Sequence, residues 1–79
     1  MEQMKMYRVM AVMEQKRENA EKLSVRINLC GYHSKVVLLN NGFYTTNILL
    51  TRDCEKAHTT KEHIQKTLGI NVGIKVVNL

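Results

Sequence analysis

The chain has 79 residues, 44% of them hydrophobic, with four glycines and no proline. This composition excludes a disordered tail and predicts one domain, residues 1–79, with one layer of helices on one sheet. The net charge of +5 predicts non-specific attraction to polyanions, but the cations are scattered and form no basic arm. No apolar run is long enough to span a bilayer and no signal peptide is evident, so we expect no membrane insertion.

The first predicted element is a β-strand. From Lys5 to Met13 the residues alternate between two sides, which is the strand period. Arg8 marks the side that is open to solvent. The residues expected to face the helices are Tyr7, Val9 and Ala11.

An amphipathic helix follows this strand and ends before Gly31, which is typical of a helix C-terminus. Apolar residues recur at helical spacing, and this periodicity predicts a buried stripe. The stripe consists of Ala20, Leu23, Ile27 and Cys30, whereas Val25 and Leu29 fall on the exposed side.

A β-hairpin is predicted next. Residues Ser34 to Leu39 are rich in valine and leucine, and the Asn40-Asn41-Gly42 turn signal follows directly. The returning strand runs from Phe43 to Thr51. By analogy with the first strand, the set expected to face the helices is Tyr44, Thr46, Ile48 and Leu50.

The second helix begins after Asp53, whose carboxylate is a good N-cap, and runs to Leu68. Gly69 closes it, and an alternating strand from Val72 to Val77 completes the chain. Its predicted core stripe is Ala57, Ile64 and Leu68.

The pattern from Tyr7 to Gly31 returns, weakened, from Tyr44 to Gly69, so the chain consists of two β-α-β units. This order predicts an α+β fold, the ferredoxin-like (RNP-like) βαββαβ sandwich with both helices on one face of a four-stranded antiparallel sheet. The uncovered face, here called the open face, is where we expect function. Its predicted members are Arg8, Met10, Val12, Lys35, Val37, Thr45, Asn47, Lys75 and Val77.

Neither catalysis nor a metal site is predicted. Cys54 and His58 are four residues apart on the second helix, but His63 lies on its far side, so three ligands do not converge. The only aspartate is already assigned as a helix cap, which leaves no nucleophile, base and acid arrangement. We interpret Cys30 and Cys54 as buried or half-buried thiols, and we expect no cofactor.

Nucleic-acid binding is a secondary alternative. Basic ferredoxin-like modules stack RNA bases on aromatic residues of the two central strands. Gly42-Phe43 matches the start of that signature, but threonine and isoleucine occupy the later aromatic positions. On the first strand, Arg8 and Met10 stand where a ring is expected.

The doubled pattern resembles the sporulation-related repeat, or SPOR, domain family. In that family each strand carries an aromatic residue and a valine, and a helix whose first alanine lies eleven residues past the valine ends in glycine. Here Tyr7-Arg8-Val9 is followed at that distance by Ala20, and Gly31 closes the unit.

The second half is similar to the same family. Gly42-Phe43-Tyr44 matches the glycine and paired aromatics of the family, Ala57 keeps the helix spacing, and Leu68-Gly69-Ile70 closes the unit. The chain departs from the family on the first strand, where glutamine, glycine and phenylalanine are usual. Those positions hold Met10, Val12 and Glu14.

The resemblance implies a non-enzymatic module that binds peptidoglycan through the open face and prefers glycan strands without stem peptides. It implies a cell-envelope location for a domain of a longer SPOR protein, and a cytoplasmic one is expected otherwise. The alternative is a homodimer or protein interaction module that uses the same face. The residues expected to contact the ligand are Arg8, Met10, Val12, Thr45, Asn47 and Lys75.

Overall fold

The structure, a computed structural model, describes residues 4–11 and 13–78 and confirms the βαββαβ order. The four strands form one antiparallel sheet in the order β2-β3-β1-β4, as the ferredoxin-like prediction requires. Helix α1 packs over β3 and β2, and α2 packs over β4 and β1. The elements are β1 Lys5–Ala11, α1 Arg17–Leu29, β2 Lys35–Leu38, β3 Tyr44–Thr51, α2 Cys54–Leu68 and β4 Val72–Asn78.

The hydrophobic core lies between the helices and one face of the sheet. Val9 of β1, Ile27 of α1 and Ile64 of α2 have no solvent-exposed surface. Burial of side chains of this size stabilises the fold by roughly 1.5–3 kcal/mol each. The predicted core stripes of both helices are therefore confirmed at their centres. Within residues 4–11 and 13–78, no helix lies on the opposite face of the sheet.

A β-bulge between the central strands changes the pattern predicted for the end of β3. The register shifts between Val9 and Met10, which leaves Ile48 as the extra residue on β3. Beyond it, Leu49 packs against the core, whereas Leu50 lies on the open face and is 47% exposed. The prediction that Leu50 faces the helices is wrong, because one extra residue moves every later side chain to the other face.

The two cysteines depart in part from the prediction. Cys30 is half-buried as predicted, but it follows the last residue of α1 and is not part of the buried stripe. Cys54 is exposed, so the prediction that it is buried or half-buried is wrong. The reason is its place in the first turn of α2, before the buried face of that helix begins at Ala57.

The turn and cap signals of the sequence are confirmed. Gly42 has a φ of +85° in the hairpin, where its backbone N–H donates to the Leu39 carbonyl at 3.1 Å. Gly69 ends α2 with a φ of +65°, a left-handed conformation that favours glycine. At the other end of α2, the Asp53 side chain accepts a 3.2 Å hydrogen bond from the Lys56 backbone N–H.

Candidate functional site

The open face brings together most of the residues predicted to bind a ligand. Arg8 and Met10 lie on β1, where Lys75 of β4 is directly opposite Arg8. Asn47 of β3 is opposite Met10 on one side and opposite Lys35 of β2 on the other. The cross-strand registers therefore place three cations, one amide and one thioether on a single continuous surface.

The first depression on this surface, here called the apolar groove, has a volume of about 560 Å³. Two methionines line it, and methionine side chains adapt their shape to a ligand. The exposed Met13 contributes because β1 ends at Ala11, two residues before the predicted end. Its lining includes Met10, Met13, Leu39, Thr45, Gly73 and Lys75.

The second depression, here called the basic groove, has a volume of about 330 Å³. It lies where β1, β3 and the start of β2 meet. Guanidinium, ammonium and imidazole groups line it together with two exposed aliphatic side chains. Its lining includes Arg8, His33, Lys35, Val37, Asn47 and Leu50.

Hydrogen bonds between α1 and the chain before β2 fix one wall of the basic groove. The Ser34 Oγ lies 2.6 Å from the Ser24 Oγ, and the Ser34 backbone N–H donates to Asn28 Oδ1 at 2.7 Å. Because Ser34 lies between His33 and Lys35, these bonds set the position from which both side chains reach the groove.

Asn47 carries an unsatisfied polar atom in the middle of the open face. Its Oδ1 is buried and has no hydrogen-bond partner among the described residues. Buried polar groups are nearly always paired, and an unpaired one costs about 1–3 kcal/mol. The structure thus leaves an acceptor at the position that separates the two grooves.

Thr45 and Val12 were also predicted to contact the ligand, but neither is an exposed residue of the described part of the open face. Thr45 lines the apolar groove but is only 2% exposed, and its hydroxyl donates to the Ala11 carbonyl at 2.8 Å. That hydrogen bond holds β3 to β1 and occupies the hydroxyl proton. Val12 lies outside the described residues.

The sequence interpretation missed His33, Met13 and Leu50 as members of the grooves. Leu50 was missed because the sequence did not indicate the bulge. Met13 was missed because the first strand was expected to continue to it. For His33 the one available signal was its place directly before the second strand, which puts a side chain at the sheet edge.

No group of three or more His, Cys, Asp or Glu side chains converges within residues 4–11 and 13–78. In the same part of the chain, neither helix has the length and apolarity needed to cross a membrane.

Comparison with known proteins gives a match at the level of fold. No protein-family model matches the chain, and no curated protein matches it in sequence. It is similar in structure to the solution structure of the peptidoglycan binding domain of the B. subtilis cell wall lytic enzyme CwlC. The TM-score is 0.78 at 22% sequence identity, over 92% of this chain and 90% of that one. The two chains therefore share a fold along nearly their whole lengths.

Proposed function

We propose that this protein is a non-enzymatic, SPOR-like module that binds peptidoglycan glycan strands through its open face. The observation that carries the proposal is the shared fold with a peptidoglycan binding domain over 92% of the chain. The SPOR-type spacing of the strand and helix residues supports the same assignment. This function places the protein at the cell envelope.

The chemistry of the open face fits a sugar polymer. Pyranose rings present apolar faces and hydroxyl edges, and binding sites for such ligands combine apolar walls with a few polar groups. Met10 in the apolar groove offers a surface for a ring face. Arg8 and Lys75 can donate hydrogen bonds to sugar hydroxyls, and the Asn47 side chain lines the basic groove next to Arg8.

Sedimentation with insoluble peptidoglycan tests this function. We expect the wild-type chain to pellet with peptidoglycan and Met10→Asp to stay in solution, because a carboxylate at Met10 removes the apolar contact. Val25→Asp is the matched control, since Val25 is 59% exposed on α1, away from the open face. Circular dichroism checks that both variants fold. If Met10→Asp pellets as fully as the wild type, the open face is not the binding surface.

A homodimer or protein interaction module is the second candidate function, and exposed apolar side chains on the open face favour it. Val37 is 37% exposed and Leu50 is 47% exposed, both beside the basic groove. A dimer through this face predicts a molecular mass that rises with concentration in light scattering and falls to the monomer value in Met10→Asp. Together with absence from the peptidoglycan pellet, that result would replace the glycan assignment.

A further inference from the structure

A third depression, here called the helix groove, lies on the helix side of the sheet, beside α1 and the turn that joins α2 to β4. Its volume of about 410 Å³ falls within the range of roughly 300–1,000 Å³ that is usual for small-molecule sites. Of the described residues, it shares Asn71 alone with the apolar groove and none with the basic groove. Its lining includes Glu14, Asn19, Lys22, Arg26, Ile70 and Asn71.

The charges of the helix groove are separated along α1. Glu14 precedes this helix and Asn19 lies in its first turn, whereas Arg26 lies in its last turn. Because an α-helix rises about 1.5 Å per residue, Asn19 and Arg26 are about 10 Å apart along the helix axis. Neither Glu14 nor Arg26 belongs to a salt bridge among the described residues. The groove therefore has an acidic end and a basic end, and each has a charge to offer to a ligand.

The end of α2 strengthens the acidic end of the groove. Because β1 and β3 are antiparallel, the helices that follow them run in opposite directions, and the C-terminus of α2 lies near the N-terminus of α1. Gly69, which ends α2, lines the groove. A helix C-terminus carries a partial negative charge, so this end favours a cation from the ligand.

The floor of the helix groove is apolar, and its walls are fixed by hydrogen bonds. Leu23 of the floor is only 8% exposed. The backbone N–H and carbonyl of Glu14 are both bonded to Tyr44 at 2.7 Å. The Gln65 Nε2 donates to the Val72 carbonyl at 3.4 Å, which holds the turn after α2. A wall that is already ordered lowers the entropic cost of binding.

We infer that the helix groove binds a short peptide of about three residues through both of its charged ends. An extended chain advances about 3.3 Å per residue, so three residues span the roughly 10 Å of the groove. The ammonium group of the peptide pairs with Glu14, and its carboxylate accepts parallel N–H donors from the Arg26 guanidinium. Small side chains lie on Leu23, and the Asn19 carboxamide offers a donor and an acceptor to a peptide bond.

The two opposite charges distinguish a peptide from simpler ligands. A phosphate or a lone carboxylate would pair with Arg26 and leave Glu14 without a partner. A single amino acid has both of its charges on one Cα, so it does not reach both ends of the groove. The helix groove takes no part in the proposed glycan site, and the inference does not depend on that function.

An amide NMR titration of the full chain with trialanine tests the inference. We expect saturable shift changes at Leu23, Arg26 and Gly69, with none at Arg8 or Asn47 on the open face. Acetylation of the peptide N-terminus and conversion of its C-terminus to a methylamide should each weaken binding about fivefold, which is the effect of losing one exposed ion pair. Free alanine should cause no saturable change.

Three variants assign the ends of the peptide. Glu14→Gln should bind trialanine and its acetylated form equally, and Arg26→Gln should bind trialanine and its methylamide equally, each about fivefold more weakly than the wild type binds trialanine. Arg17→Gln is the matched control, because Arg17 is an exposed cation of α1 that does not line the groove. It should keep both preferences. Circular dichroism checks that all three variants fold.

Several results would overturn the inference. They are an absence of saturable shifts with trialanine, shifts confined to the open face, and equal binding of trialanine and both capped forms. Weaker binding of the methylamide alone would make the groove an anion site, and saturable binding of free alanine would make it an amino-acid site. None of these results bears on glycan binding through the open face, which the sedimentation experiment tests separately.

Discussion

Ile64→Ala is expected to lower the free energy of unfolding by about 2–5 kcal/mol, which is the usual cost of truncating a buried isoleucine. Ile64 has no exposed surface and belongs to the cluster that joins α2 to the sheet. A domain of 79 residues stands near the low end of the usual stability range of about 5–15 kcal/mol. A loss of this size therefore removes much of the stability, and urea denaturation followed by circular dichroism measures it.

Leu29→Ala is the matched control for this prediction. Leu29 is 82% exposed at the end of α1, so the same kind of truncation removes almost no buried surface. We expect a change within about 0.5 kcal/mol, as for most surface substitutions. Comparable losses in the two variants would show that the core is not where the structure places it.

Lys75→Glu is expected to weaken glycan binding and at the same time to raise the free energy of unfolding. Replacement of the Lys75 ammonium by a carboxylate should weaken binding of peptide-free strands by about tenfold, because Lys75 lines the apolar groove and its hydrogen-bond donor to the glycan is lost. The same change converts a like-charged cross-strand pair into an opposite-charged one, which should raise the free energy of unfolding by up to about 1 kcal/mol. Titration calorimetry and thermal unfolding measure the two effects.

Lys66→Glu makes the same charge change on α2 and should leave binding unaltered. A Lys75→Glu variant that binds peptide-free strands as tightly as the wild type would remove Lys75 from the site. A Lys75→Glu variant with lower stability would contradict the register that places Arg8 and Lys75 opposite each other.

The sequence predicted the fold because its local signals agree with one another. Alternation along the strands, the stripe that contains Ile27, the Asp53 cap and the glycines at the turns all indicate the same βαββαβ order, and the structure confirms each. The strands were also placed correctly to within two residues at each end. Signals of this kind depend on nearest neighbours in the chain, which is why the sequence contains them.

The details of the site depend on pairing between distant segments of the chain, so they were harder to predict from the sequence. The bulge at Ile48 arises from the register of β3 against β1, and no local signal marks it. It moved Leu50 to the open face. The hydrogen bond of the Thr45 hydroxyl likewise joins two distant segments, because its acceptor is the Ala11 carbonyl on β1.

The resemblance to SPOR domains rested on spacing because the residues that usually mark the family are replaced at Met10 and Glu14. The same replacements agree with the absence of any matching family model. A fold is maintained by burial patterns that tolerate many substitutions, so this chain and the CwlC domain share a fold at 22% identity.

An amide NMR titration of the full chain with peptide-free glycan strands, beside a single-stranded RNA control, tests the central claim most directly. We predict glycan-induced shifts at Arg8, Met10, Asn47 and Lys75, with none of comparable size from RNA. The exposed side of α1, where Val25 and Leu29 lie, should remain unshifted. If the glycan causes no amide shift changes, or causes them only in the helices, binding through the open face is contradicted.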